Sequence, residues 1–446
     1  MSTGMHTRTF FAALLLSSPM FGQAQPAATP MFQIPSAELN NELPKWLKFS
    51  GAYQGRVEGF AGGGFKNDTS DAYYLNRFRV NMNIAAKSWL RFGFQMQDAR
   101  VWGKNTPAVF PFQNTVDLRL AYVELGDPEN KKFGIRAGRQ EFVFGEMRLV
   151  GHLNWVNTAR SFDGVRATYK WKGARFDAFA STVVQQVEGE FDRAWRTKAD
   201  NFHGIWVNAP KLVKNATIEP YILWRTTRGL KSETGITGKR DFKTYGIRLV
   251  GKFSAKSAFD YNVEMNRQWG SLATDDISAW AGHWMLGYTT PQLKWKPKWM
   301  VEYNYASGDK NSADGKRGTF DQLYPTGHDK TGFADQVGWK NVHNLQIAAQ
   351  FKTSPKWTFT PRYHWLWLAS ATDSMYGANG AAVLKSANGS AGTYIGTEVD
   401  LIGSYAATKQ MSVAFGYSHL FPGTFLKKTT QGNGYDFPFL LMGYNF

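Results

Sequence analysis

The fold class the sequence predicts is all-β: a transmembrane antiparallel barrel of about eighteen strands, with short periplasmic turns and long extracellular loops. Three observations carry the prediction. Apolar and polar side chains alternate at period two along most of the chain. The turns between the alternating stretches sort into short and long. Aromatics make up 15% of the residues, with 17 Trp and 19 Tyr, and there are 44 Gly. That composition suits strands that show one greasy, aromatic face. A spanning helix needs ~18 consecutive apolar residues, and no run approaches that length. The absence of cysteine excludes a disulfide scaffold, a cysteine zinc site, an Fe–S cluster and a thiol nucleophile.

The chain opens with a secretory signal pattern over residues 1–24. Arg8 is the charged residue, Phe10 to Leu16 the apolar core, and Gly22-Gln23-Ala24 the small-residue cleavage site. Residues 25–45, with Pro26, Pro30 and Pro35, read as a periplasmic tail, and 46–446 as the barrel. A signal sequence on a basic chain without cysteine places the protein in a Gram-negative envelope. Nucleic acid is therefore not an expected partner, despite a net charge of +17.

Alternation recurs in segment after segment. Phe78, Val80, Met82 and Ile84 interleave with Arg77, Arg79, Asn81 and Asn83; Trp299, Val301, Tyr303 and Tyr305 interleave with Met300, Glu302 and Asn304. Such stretches are strands with one apolar and one polar face. They begin near Trp46, Tyr73, Trp89, Thr115, Lys132, Gly164, Ala174, Asn201, Ala216, Phe242, Ala258, Ile277, Lys298, Asn341, Lys356, Thr393, Lys409 and Asp436. A soluble sandwich has the same local period with its apolar face inward. The connections separate the two architectures. The even-numbered ones are short: Ala86–Ser88, Gly126–Lys131, Lys172-Gly173, Pro210–Asn215, Ser254–Ser257, Thr290–Pro297, Thr353–Pro355 and Ala407-Thr408. The odd-numbered ones are long: Phe60–Asp71, Asp98–Asn114, Phe144–Asp163, Glu188–Asp200, Gly229–Asp241, Gly308–Lys340, Ser370–Gly392 and Pro422–Tyr435, with Gly270–Asp276 the short exception. Short turns at one end and long loops at the other describe an outer-membrane barrel with both termini periplasmic. Trp89, Trp171, Trp295, Trp299, Trp357 and Trp367 fall near strand ends, where interfacial girdles belong. Pro220 and Pro361 fall inside strands and weaken those two assignments.

Several motifs are longer than strand periodicity requires. They are Gly138-Arg139-Gln140-Glu141, Arg148-Leu149-Val150-Gly151, the run from Asn154 to Arg166, the run from Tyr303 to Lys310, Asp314-Gly315-Lys316, the run from Thr319 to Pro325, and His328-Asp329-Lys330. Together they resemble the alginate export family of outer-membrane proteins, from about residue 46 to the end. The resemblance implies an eighteen-stranded porin-like barrel with a basic lumen, whose best-known members pass an anionic polysaccharide. It also implies outer-membrane lipids, and periplasmic components of an export machine, as partners. One departure stands out: no periplasmic connection is long enough to plug the barrel from below. A gate must come from the outer loops or from a partner.

Strand parity places a candidate anion path on the lumen wall: Arg77, Arg79, Arg91, Arg119, Arg136, Arg166, Arg248 and Arg362, with Lys170, Arg225 and Lys252 on the same inward face. Guanidinium groups suit carboxylates because they are planar, forked and always charged. The candidate lumen acids are Asp117, Glu264, Glu302, Glu398 and Asp400. The bland alternative is a set of lumen ion pairs that merely stiffen the wall. Arg139 falls on the lipid-facing parity, so a bulge or an early strand end must accommodate it. The third long loop is unusually apolar, with Phe144, Met147, Leu149, Val150, Leu153, Trp155 and Val156. It is expected to fold into the lumen as a gating loop, with Arg148, Trp155 and Arg160 as its contact residues. The Asp309–Gly315 stretch misses the calcium-loop spacing by one residue, so Asx turns are the expectation and no metal site is assigned. No cofactor is expected.

Enzyme signals are weak. There is no H-E-x-x-H and no G-x-S-x-G, and adjacent Ser418 and His419 point to opposite faces of a strand. The function expected is transport: an outer-membrane channel for anionic solutes, resembling exporters of a polysaccharide such as alginate. The alternatives are a substrate-specific porin for small carboxylates or sugars and, in another class, an envelope binding or adhesive barrel acting through its loops.

Overall fold

The computed structural model describes residues 35–128, 131–195 and 198–446. The signal pattern at residues 1–24 lies outside the described residues. A short helix, α1 (Pro35–Glu42), leads into eighteen barrel strands. These are β1 (Leu47–Ala61), β2 (Ser70–Lys87), β3 (Leu90–Trp102), β4 (Asn114–Gly126), β5 (Phe133–Gln140) and β6 (Phe162–Trp171). Next come β7 (Ala174–Val183), β8 (Asp200–Val213), β9 (Ala216–Lys231), β10 (Thr237–Lys252), β11 (Phe259–Leu272) and β12 (Asp275–Thr289). The last six are β13 (Lys298–Ala306), β14 (Val342–Lys352), β15 (Trp357–Leu368), β16 (Tyr394–Ala406), β17 (Met411–Pro422) and β18 (Tyr435–Asn445). Each pairs antiparallel with its neighbours in sequence, and β1 closes the sheet against β18, with Tyr53 opposite Tyr444 and Val57 opposite Leu440. The seam continues past the ladder, where Gly51 and Phe446 exchange backbone hydrogen bonds of 2.7 and 3.0 Å. Closure leaves no sheet edge, which is the condition for a sheet to sit in lipid.

The alternation resolves into two faces. Phe78, Met96, Ile222, Ile247, Val301, Ile347 and Leu440 are exposed on the outside of the wall, while Arg56, Arg77, Gln97, Asn262 and Asn344 are buried within. Three of the prolines within strands sit at visibly tolerated places. Pro220, Pro361 and Pro438 pair with Ile247, Leu401 and Tyr417 on one side, and the ladder lapses opposite each of them on the other. A missing N–H therefore costs no ladder bond.

The periplasmic turns are short, as predicted. One outer connection differs from expectation. The predicted loop Gly229–Asp241 is largely strand, because β9 and β10 pair up to Lys231 opposite Thr237, leaving residues 232–236 as the turn. These extra rungs are polar, so they carry no membrane periodicity to detect. The outer loops used below are the third (141–161), fourth (184–199), seventh (307–341), eighth (369–393) and ninth (423–434), the last containing helix α2 (Thr424–Thr429).

The inner face is not uniformly polar. Phe179, Phe202, Trp206, Tyr221, Leu223 and Phe242 are buried on the inner side of β7–β10. This aromatic patch gives an apolar loop something to bury against.

Candidate functional site

The third outer loop folds into the lumen. Its Phe142 and Phe144 lie on the wall patch, with ring centroids 4.6 Å from Phe179 and 5.1 Å from Trp206. Leu149 and Val150 are fully buried and form a short ladder with the seventh loop: Tyr324 N–H donates to Leu149 O (2.8 Å) and Gly151 N–H to Tyr324 O (2.9 Å). Burial of this apolar surface is the main term holding the loop inside.

The basic wall residues grip the other end of the same loop. Arg77 donates to the carbonyls of Asn154 (3.0 Å) and Val156 (3.1 Å), and Arg79 to the Asn154 side-chain oxygen (2.8 Å). Arg56 donates to Trp155 O at 2.6 Å and stacks 4.1 Å over its ring. Arg119 pairs with Glu141 at the root of the loop and with Gln95 on the wall. Asn157 reaches the carbonyls of Asn76, Arg100 and Phe112. Arg77, Arg79 and Arg119, predicted as surfaces for a passing anion, are thus buried and engaged by the loop. Parity placed them on the lumen face, but parity cannot say what already occupies that face.

Arg148 crosses to the far wall, donating to Glu302 (2.9 Å) and Asn304 (3.2 Å). Glu146 lies 3.4 Å from Arg148 and 3.7 Å from Arg248, which itself pairs with Glu219 at 2.7 Å. Arg160 donates back to Gly151 O and Pro325 O, joining the two inner loops. Trp155 stacks on His328 of the seventh loop, with centroids 3.7 Å apart.

Two of the candidate wall acids serve the seventh loop. Glu398 accepts Ala334 N–H at 2.9 Å, while Asp400, 3.1 Å from His364, faces Phe333 N–H. Arg362 donates to Asp329 O at 2.9 Å. Arg225 bridges Asp200 on the wall and Asp321 on the loop. Glu264 accepts the Tyr221 hydroxyl. Asp117 belongs to a different group. Two register shifts in the β3–β4 ladder bring it 3.9 Å from Arg139, beside Asp163 and under the fourth loop. Arg139 keeps its outward parity one residue before β5 ends at Gln140, the early strand end expected, and its bidentate pair with Asp163 and the carbonyls of Leu118 and Asp192 satisfy it there.

Between the third, seventh and eighth loops lies a small cavity of about 10 Å³ whose lining includes Arg148, Gln322, Pro325, Lys330, Thr331 and Trp339. Below the loops, toward the periplasm, lies a second basic group. Arg136 faces Glu124 at 2.5 Å, Arg91 faces Asp127 at 2.8 Å, and Arg166 and Arg175 share Asp177 at 2.8 Å each. Lys170 stands opposite Arg175 in the ladder. Arg91 keeps 30% of its side chain exposed. The Asp309–Gly315 stretch forms the expected Asx turns: Asp309 accepts Asn311 N–H, Asn311 accepts Ala313 N–H and Asp314 accepts Lys316 N–H. Among the described residues no cluster of His, Cys, Asp and Glu has metal-binding geometry.

A family model described as alginate export matches residues 45–437. The chain belongs to the alginate export family. No curated relative matches it in sequence. Solved structures share the fold of this alginate export barrel. Pseudomonas aeruginosa OpdO superposes with a TM-score of 0.60 at 10% identity, over 91% of this chain and 99% of that one. P. aeruginosa OccK8 (OprE) gives 0.59 at 11%, over 90% and 98%, and Acinetobacter baumannii OccAB4 gives 0.59 at 11%, also over 90% and 98%. The barrel is an outer-membrane channel of a Gram-negative bacterium.

Sequence reasoning missed Arg56, Glu141 and Glu146 as loop contacts, and the inward course of the seventh loop. The signal was present. Phe320, Leu323, Tyr324, Phe333 and Trp339 give that loop large apolar side chains, though more thinly spread than in the third, and the same burial argument applied to both.

The docked third loop should respond to pH. Burial pushes the His152 imidazole down from 6.5 to about 4, opposed by Glu141 and reinforced by Arg119, Arg79 and Arg77. Burial pushes Glu141 up, but Arg119, His152 and Arg79 outweigh it and hold its carboxyl at about 2. Both groups resist protonation only in the docked state. Docking is therefore at full strength above pH 6.5. It weakens through the His152 window from 6.5 down to about 4, and again as Glu141 titrates from 4.5 toward 2. Open-channel occupancy in planar bilayers is expected to rise on acidification from pH 7 to 4.5. His152→Gln should flatten that limb; an unchanged profile in the variant would remove His152 from the effect.

Proposed function

We propose that this family member is a gated, passive channel for small anionic solutes, carboxylates among them, and performs no chemistry on them. The observation that carries this reading is the filled lumen: two outer loops, the third and the seventh, fold inward and are held by apolar contacts and ion pairs, so that the barrel is not an open bore. Beneath these loops, Arg91, Arg136, Arg166, Lys170 and Arg175 gather on one stretch of the inner wall, and guanidinium and ammonium groups held in a low-dielectric wall favour anions over cations. P. aeruginosa OpdK, a barrel of this fold at 9% identity with a TM-score of 0.59, has been crystallised with vanillate, an aromatic carboxylate. A second reading, passage of an extended anionic polysaccharide, is favoured by the family match.

Reversal potential across a salt gradient tests charge selectivity. The parent is expected to prefer anions. Arg91→Gln/Arg136→Gln/Arg166→Gln should lower the anion-to-cation permeability ratio by a factor of about three, since lumen substitutions tune selectivity. A ratio unmoved by the triple change would reduce these arginines to wall stiffeners. Current block then separates the solutes: a monomeric carboxylate should block at lower concentration than uronate oligomers if the small-solute reading holds.

A further inference from the structure

The lipid-facing wall of β9–β12 differs from the rest of the outer rim. The turns here, residues 232–236 and 273–274, are short, so no long loop shades the wall. The ladder sets Lys243 between Trp224 and Trp269, and Arg267 between Tyr245 and Trp280, all on the outward face. These four rings are exposed and form the aromatic girdle at the outer end, which marks the headgroup level of the outer leaflet. Arg228 is exposed at the β9–β10 register shift, two rows nearer the turn than Trp224.

Charge distinguishes this sector. Elsewhere on the outward rim the charged groups are matched: Arg100 pairs with Asp98, Arg139 with Asp163 and His419 with Asp436. On β9–β12, Asp241 is taken by Lys239 and by the Trp224 indole, and the exposed Asp276, opposite Ser271, is the one other outward carboxylate on these strands among the described residues. Among the described residues Arg228, Lys243 and Arg267 make no salt bridge. Lys243 lies 5.4 Å over the Trp224 ring, and Arg267 lies 5.7 Å over Trp269 while donating to the Ser278 hydroxyl at 2.6 Å. Directly below them, toward the bilayer centre, Ile247 and Met265 join Tyr245 and Trp280 in lining a shallow groove on the outer surface.

We propose that this face is a binding site for the phosphorylated, multiply acylated glucosamine lipid of the outer leaflet. Arg228, Lys243 and Arg267 take its phosphates and the groove takes an acyl chain. Charge complementarity carries the assignment. Three cations without carboxylate partners at headgroup depth are costly beside neutral lipid and favourable beside phosphate oxygens, which accept charge-assisted hydrogen bonds from guanidinium and ammonium. The groove supplies a second, apolar contact in register with the first. The site is on the outside of the wall, so it stands independently of what the lumen carries.

Native mass spectrometry of the detergent-solubilised full barrel, with bisphosphorylated lipid A as the probe, tests this. The parent should retain lipid A, and Arg228→Gln/Lys243→Gln/Arg267→Gln should bind it about tenfold more weakly or worse. Lys172→Gln/Lys214→Gln, which removes charge from two periplasmic turns, should bind as the parent does. Heat-modifiable migration reports whether each variant is a folded barrel. A second arm needs no variant: the parent should bind dephosphorylated lipid A, and phosphatidylglycerol, at least about tenfold more weakly than the bisphosphorylated probe. Equal binding by parent and triple variant, or equal affinity of the parent for the dephosphorylated lipid or phosphatidylglycerol, overturns the assignment.

Discussion

Arg77→Ala combined with Arg79→Ala is expected to raise single-channel conductance several-fold while the barrel stays folded. The two guanidinium groups satisfy the carbonyls of Asn154 and Val156 and the side-chain oxygen of Asn154. All of these are held inside the lumen, where an abandoned acceptor costs about 1–3 kcal/mol. Water entering the space left by two arginines returns part of that. A net ~2 kcal/mol is still about a thirtyfold shift in the ratio of docked to released loop. The strands keep their ladder and their lipid-facing residues, so heat-modifiable migration should be unchanged. Read from strand parity alone, the same substitutions would only reduce anion preference. The contacts to the loop turn the expected result into a change of conductance. Planar-bilayer recording decides: a parental conductance with altered ion preference would mean that these arginines face the permeating ion and do not hold the loop.

What was legible in the sequence was whatever depends on neighbours along the chain. Ala174, Ala216 and Lys298 open strands where the periodicity puts them, because the face a strand side chain takes is set within a few residues. β10 was placed late, at Phe242 rather than Thr237, because rungs beyond the hydrocarbon owe lipid no apolar face. The third loop was legible as a lumen element because Phe144, Leu149 and Val150 cannot stay in water. Its docking surface was not, since Phe179, Trp206 and Tyr221 come from three strands and form a patch only once the sheet curls. The roles of the inward charges failed for the same reason. Parity gives Glu398 and Asp400 a direction, but the loop amides of Ala334 and Phe333 that meet them lie 64 and 67 residues away in sequence.

The link across the lumen should show the strongest non-additivity in the molecule. Arg148 is 4% exposed and meets Glu302, Asn304 and Glu146, whereas Glu302 faces Arg148, Asn304 and His283. Removing one member of a buried pair leaves the other charged and unsolvated, at about 3–5 kcal/mol; removing both avoids that term. Arg148→Met is therefore expected to open the channel strongly, lengthening open times by about tenfold or more. Glu302→Gln should have the smaller effect, because Glu146 remains 3.4 Å from the guanidinium and the new amide can still accept from it. The double variant should open less than the two single effects predict, with a coupling energy on the order of 1–3 kcal/mol. Single-channel dwell times at one voltage and one salt concentration give all four corners of the cycle. Additive effects would mean that Glu302 and Arg148 act on separate steps. The third loop would then be held by its apolar contacts with Phe179 and Trp206 and by the arginines of β1 and β2, with no latch on the far wall.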